Sequence, residues 1–68
     1  MIVDRIYNID DRAGLTIVKR FIYPHTIEGF EENIIYPGTT TVMTSKENIV
    51  VNMSFDEFER QLKLERVL

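Results

Sequence analysis

The sequence has no cysteine, no tryptophan and a single histidine. Without cysteine there is no disulfide, no thiolate zinc site and no cysteine nucleophile. The sequence also has no apolar run near the roughly 18 residues that span a bilayer, and no basic start followed by the long apolar stretch of a signal peptide. We therefore expect a cytoplasmic protein without metal, cofactor or membrane segment.

The composition is that of an ordinary globular protein. Of its 68 residues, 44% are hydrophobic and 28% are charged, with a net charge of -3. A chain of this length makes one core, so residues 1–68 are expected to form a single domain. The acidic balance weakly repels nucleic acid and anionic lipid.

β-Branched residues dominate the apolar set. Nine isoleucines and six valines stand against four leucines and one alanine, a bias that favours strands. Residues that favour helices gather near the C-terminus. The sequence predicts an α+β fold: a small antiparallel sheet or partly closed barrel of four to five strands, followed by one helix.

The helix is predicted at about residues 55–65. Ser54 followed by Glu57 matches a capping box, in which the hydroxyl accepts from the Glu57 N–H and the carboxylate accepts from the Ser54 N–H. Asp56 with Arg60 and Glu59 with Lys63 have the spacing of favourable ion pairs. The apolar stripe of the predicted helix consists of Phe55, Phe58 and Leu62.

A hairpin is predicted just before the helix, with strands at 39–44 and 48–53. We place Thr44 opposite Asn48, and we expect Asn48 to take a left-handed conformation that closes a three-residue loop. This register puts Met43 with Ile49 and Thr41 with Val51 on one face, and Val42 with Val50 and Thr40 with Asn52 on the other.

The first half of the chain predicts a second hairpin and a less regular segment. Strands at 2–9 and 15–23 flank a turn at 10–14. Residues 26–36 form either one bent strand or two strands, with a bulge at Gly29. The sequence Tyr36-Pro37-Gly38-Thr39 is typical of a type II turn.

Catalytic and metal-binding patterns are not found. His25 is interpreted as a solvent-facing turn residue, because it lacks the partners that a base or a zinc ligand needs. Asp10 and Asp11 depart from the calcium-loop pattern. We therefore expect a protein that is not an enzyme and has no catalytic residue.

An acidic cluster and a basic set give two further readings of the surface. Glu28, Glu31 and Glu32 are typical of an exposed strand edge, or of a site for a basic partner. The alternative function is regulatory nucleic-acid binding through a basic and aromatic strand surface. Its residues are Arg12, Lys19, Arg20, Tyr23 and Tyr36.

The preferred hypothesis is an interaction module. A short chain without disulfide or metal buries barely enough surface to offset its ordering entropy, and association commonly supplies the rest. One short helix covers one face of a sheet, whereas the run Ile49-Val50-Val51 offers apolar side chains to both. We predict a homo-oligomer, with a dimer favoured, that also binds a protein partner; the predicted contact residues are Val42, Ile49, Val50 and Val51.

Overall fold

The described part of the protein consists of five strands, one α-helix and a short 3-10 helix. The computed structural model describes residues 1–10 and 14–67, with the backbone alone at 8–10, 14–15 and 66–67. The strands are β1 (Ile2–Asp10), β2 (Gly14–Phe21), β3 (Ile27–Glu32), β4 (Thr40–Thr44) and β5 (Asn48–Val51), and the helix is α1 (Phe55–Val67). A short 3-10 helix at Pro24–Thr26 joins β2 to β3.

The strands form one antiparallel sheet in the order β2-β1-β5-β4-β3. Short loops join the strands of each hairpin, which explains the antiparallel pairing. β2 and β3 are the edges. The five strands and the C-terminal helix confirm the predicted α+β fold, with the sheet left open.

The sheet consists of two sequence-local parts that meet at a short ladder. β1 and β2 form one hairpin, whereas β3, β4 and β5 form a meander. β1 pairs with β5 through Arg5 opposite Val51 and Ile6 opposite Val50. The Asn52 N–H extends this contact by donating to the Asp4 carbonyl over 2.8 Å.

The core lies between α1 and one face of the sheet. Phe58 is fully buried at 0% exposure, and Leu62 lies one helical turn further along, also buried. The Phe30 ring packs against the rings of Phe55 and Phe58, with both centroid distances 4.9 Å. The buried apolar cluster comprises Met1, Val3, Ile22, Ile27, Val42, Ile49, Val51, Phe58 and Leu62.

The helix begins where its capping residue predicts. The Ser54 hydroxyl accepts from the Glu57 N–H at 3.3 Å, which confirms one half of the capping box. The Glu57 carboxylate instead accepts from Arg60 at 2.6 Å. Arg60 therefore pairs with Glu57, three residues away, rather than with Asp56 as predicted.

The predicted helix at 55–65 is confirmed, and the observed helix extends to Val67. Further along it, the predicted pair of Glu59 and Lys63 has its charged atoms 3.7 Å apart.

The hairpin of β4 and β5 is confirmed, but its predicted register is wrong by one residue. Val42 lies opposite Ile49, and Met43 lies opposite Asn48. The Thr44 N–H and hydroxyl both donate to the Glu47 carbonyl, at 2.9 and 2.7 Å, so Thr44 is opposite Glu47. Asn48 does not have the predicted left-handed conformation, because the side chain of Thr44 closes the turn.

The segment 26–36 forms one strand followed by a loop. The register of β3 shifts between Ile27 and Gly29, which confirms a bulge at this glycine. β3 ends at Glu32, and Ile34 in the loop beyond it is 92% exposed. The predicted turn at 36–39 is confirmed, since the Thr39 N–H donates to the Tyr36 carbonyl and Gly38 has φ of 83°.

The first hairpin is also confirmed, with β2 ending at Phe21 rather than near Tyr23. The Ile22 N–H continues the contact with β1 by donating to the Met1 carbonyl at 2.8 Å. The turn predicted at 10–14 falls mainly on residues 11–13, which lie outside the described residues.

We expect Phe58→Ala to lower the free energy of unfolding by about 3–5 kcal/mol, because it leaves a cavity beneath α1. Urea denaturation followed by far-UV circular dichroism measures this change. Leu64→Ala is the matched control on the same helix: Leu64 is 59% exposed, so we expect a change within about 0.5 kcal/mol. Equal costs for the two variants would contradict the packing described here.

Candidate interaction surface

The sheet has two unlike faces because successive side chains of a strand point to opposite sides. The inner face, which includes Val3, Val42 and Ile49, packs against α1. The opposite side of β1, β2 and β5 carries a second apolar group. We call this side of the three strands the outer face. Its apolar residues are Ile2, Ile6, Ile17, Phe21 and Val50.

The pairing register places the outer-face residues side by side. Ile2 lies directly opposite Phe21, and Ile6 lies between Ile17 and Val50. Ile6 is buried by its surroundings, whereas Ile2, Ile17 and Phe21 are 68%, 52% and 55% exposed. Large apolar side chains therefore lie together on a surface that α1 does not cover, and such patches commonly mark interaction sites.

One pair of opposite charges divides the outer face. Asp4 lies directly opposite Lys19, between the pair Ile2–Phe21 and the pair Ile6–Ile17. Both charged residues are exposed. The outer face thus has an apolar pair on each side of a central acid and base.

The four contact residues predicted from the sequence fall on both faces. Val42, Ile49 and Val51 are 0–1% exposed and belong to the buried cluster that includes Phe58 and Leu62 of α1, so their side chains are not exposed to a partner in this structure. Val50 is half-buried and belongs to the outer face. Its contribution to self-association stays a prediction.

The sequence did not reveal Ile2, Ile6, Ile17 and Phe21 as contact residues. Their alternation within β1 and β2 was visible, but which side α1 would cover was not. The signal available was the pairing of the two strands across a short turn, since this places Ile2 with Phe21.

An ionic cluster connects β1 and β2 with the turn between β4 and β5. Arg5 Nη1 lies 3.0 Å from Glu47 Oε1, and Arg20 Nη1 pairs with the same oxygen. The Arg5 guanidinium also lies 4.3 Å from the centre of the Tyr7 ring, a favourable cation–π arrangement. The Nε of Arg5 is buried and has no acceptor among the described residues, which offsets part of this stabilisation.

The cluster changes the titration of its carboxylate. The hydrogen bond from Arg20 and the positive charges of Arg5 and Arg20 lower the pKa of Glu47 from its ordinary value of 4.5, outweighing an opposing effect of desolvation. Stability gained from a depressed carboxyl pKa is complete above the ordinary value and is lost as the pH falls through the folded-state value.

Among the described residues of the nucleic-acid alternative, Arg20 and Tyr23 line one groove, whereas Lys19 and Tyr36 lie elsewhere. Arg20 pairs with Glu47, whereas Lys19 lies on the opposite side of the same strand beside Asp4. Tyr23 adjoins the 3-10 helix, and Tyr36 lies in the loop between β3 and β4. Arg12 lies outside the described residues.

A groove lies at the C-terminal end of β2, between this strand end and the turn that joins β4 to β5. Its lining includes Arg20, Tyr23, Ser45 and Lys46. Beside it, the Tyr23 ring centre lies 4.9 Å from that of Phe21 and 5.6 Å from that of His25. His25 lies in the 3-10 helix and is exposed, which agrees with its interpretation as a solvent-facing residue.

The two edge strands of the sheet differ in how strongly they discourage pairing with a further strand. β3 carries exposed Glu28, Glu31 and Glu32 and the bulge at Gly29, and both charge and bulges discourage the addition of another strand. The predicted acidic strand edge is therefore observed. β2 pairs without interruption from Phe21 to Thr16 and carries Lys19 and Arg20.

The described part of the chain carries neither a cluster of metal ligands nor a helix able to span a membrane. Its histidine and acidic residues do not form a group of three or more that could hold a metal ion. None of the helices described here has both the length and the apolar character needed to cross a membrane.

In comparisons with known proteins, no protein-family model, no curated protein and no solved structure matches the chain.

We expect Glu47→Gln to lower the free energy of unfolding at neutral pH, because it removes the charge that Arg5 and Arg20 share. The difference from the wild type should be full above pH 4.5 and should shrink as the pH falls through the lower pKa of the folded-state carboxyl, since the wild-type carboxyl then becomes protonated as well. Urea denaturation at a series of pH values measures this difference. Glu28→Gln is the control at an exposed edge position, and we expect little change from it at any pH.

Proposed function

We propose that the protein is a small non-enzymatic interaction module that self-associates through its outer face. The observation that carries this proposal is the uncovered group of Ile2, Ile17 and Phe21, which adjoins Ile6 and Val50 on the face opposite α1. The proposed occupant of this surface is a second copy of the chain.

Burial of this surface stabilises both the assembly and the fold. Each square ångström of apolar surface removed from water contributes about 25 cal/mol. A domain of this size has a small margin of stability, because its single core must offset the conformational entropy of the whole chain. Binding a second copy therefore stabilises the folded state by mass action.

The charges on the outer face favour a second copy over a partner of strong charge. Asp4 and Lys19 cancel each other on this surface. An identical surface brings both signs in equal number, as the self-complementarity of a two-fold interface requires. A strongly basic or acidic partner would satisfy one residue and repel the other.

The same proposal includes a protein partner, in an accessory or regulatory role. The acidic edge of β3 is the support for this part, because Glu28, Glu31 and Glu32 are exposed and lie away from the outer face of β1 and β2. A dimer offers two such edges at once, which strengthens binding to a partner with repeated basic segments.

We expect the wild type to be dimeric at micromolar to millimolar concentrations, and Ile17→Lys to dissociate at least about tenfold more readily, because it introduces a charge into the apolar contact. Size-exclusion chromatography with multi-angle light scattering measures both. Circular dichroism checks that the variant is folded.

Leu64→Lys is the matched control, since Leu64 is an equally exposed apolar residue on α1. We expect it to associate like the wild type. A wild type that stays monomeric throughout the concentration range would overturn the proposal, and a stable Ile17→Lys dimer would place the interface elsewhere.

A further inference from the structure

The position of Asp4 beside Lys19 specifies how two outer faces fit together. This inference rests on the proposed self-association. We infer that the second copy docks with a two-fold axis that runs parallel to β1 and β2 and lies between them. Asp4 of each copy then contacts Lys19 of the other.

Two identical outer faces can stack about a two-fold axis in two simple ways that bring their Asp4–Lys19 pairs together. An axis parallel to the strands exchanges the positions of β1 and β2, so that each Asp4 faces Lys19 of the second copy. An axis across the strands places β1 over β1, so that Asp4 faces Asp4 and Lys19 faces Lys19. Like charges held in a dry contact are unfavourable, and the first arrangement is therefore selected.

The apolar pairs are satisfied by the same arrangement. With β1 over β2, Ile2 of one copy faces Phe21 of the other, and Ile6 faces Ile17. Two packed sheets lie about 10 Å apart with their strands nearly aligned, a distance that the long side chain of Lys19 bridges. Burial of the apolar pairs supplies affinity, whereas the charge pairs select the orientation.

Charge reversal tests this arrangement. Asp4→Lys gives a surface with two positive charges, and Lys19→Asp gives one with two negative charges. We expect each variant alone to dimerise at least about tenfold more weakly than the wild type. An equimolar mixture is expected to form a heterodimer, because every charge in it then faces an opposite charge of the second copy.

The mixing step separates contacts between copies from contacts within one chain. Asp4 and Lys19 are neighbours in the same sheet, so a double variant with both charges reversed could recover for either reason. Recovery in a mixture of two separate chains arises from contacts between copies alone. Native mass spectrometry distinguishes the heterodimer from both homodimers by mass.

The control pair is Glu28→Lys and Lys63→Glu, which reverses one charge on the β3 edge and one on α1, both away from the outer face. We expect these variants to dimerise like the wild type, separately and mixed. Asp4→Asn and Lys19→Gln remove charge without creating repulsion, and we expect each to weaken the dimer less than the corresponding reversal. These neutral variants keep the test valid if a reversed variant fails to fold.

The possible failures point to different conclusions. A monomeric wild type overturns the proposed function together with this inference. A dimeric wild type whose reversed variants dimerise normally, or fail to form a heterodimer when mixed, overturns the arrangement and leaves self-association in place.

Discussion

The fold depends on the two-pair ladder that joins β1 to β5. It is the place where the N-terminal hairpin meets the meander, and its partners are far apart in sequence. The bond from Arg5 to Glu47, between residues 42 positions apart, crosses the same junction. Because the ladder is short, side-chain contacts must also hold the hairpin against the meander. The ionic cluster and the core under α1 both provide such contacts.

The same junction creates the outer face. Once β1 lies beside β5, Ile6 comes next to Val50 while its other neighbour is Ile17, and an apolar row extends across three strands. The chain has one described α-helix, and its aromatic residues fill the inner face. Folding therefore completes one core and assembles the surface from which a second contact is proposed.

The parts of the structure that local chemistry determines were predictable. Ser54 and Glu57 indicate the start of the helix, Gly29 the bulge, and Pro37 with Gly38 the turn before β4. The register of β4 and β5 was missed because the hydroxyl of Thr44 stabilises a shorter turn. That difference of one residue moves Val42 to the face of Ile49. Ile49 and Val51 were named as contact residues because the run Ile49-Val50-Val51 offers side chains to both faces, and the sequence did not reveal which face α1 covers. The pairing of Arg5 and Arg20 with Glu47 depends on long-range topology, which spacing in a single sequence does not reveal.

The unequal edges of the sheet limit how far assembly can proceed. A fibre built by adding strands needs two receptive edges on every molecule, one for each neighbour. Here the bulge and the glutamates of β3 discourage pairing at one edge, and β2 offers the other. Strand addition between two copies through β2 would use the receptive edge of each, so the native sheet disfavours growth beyond a pair.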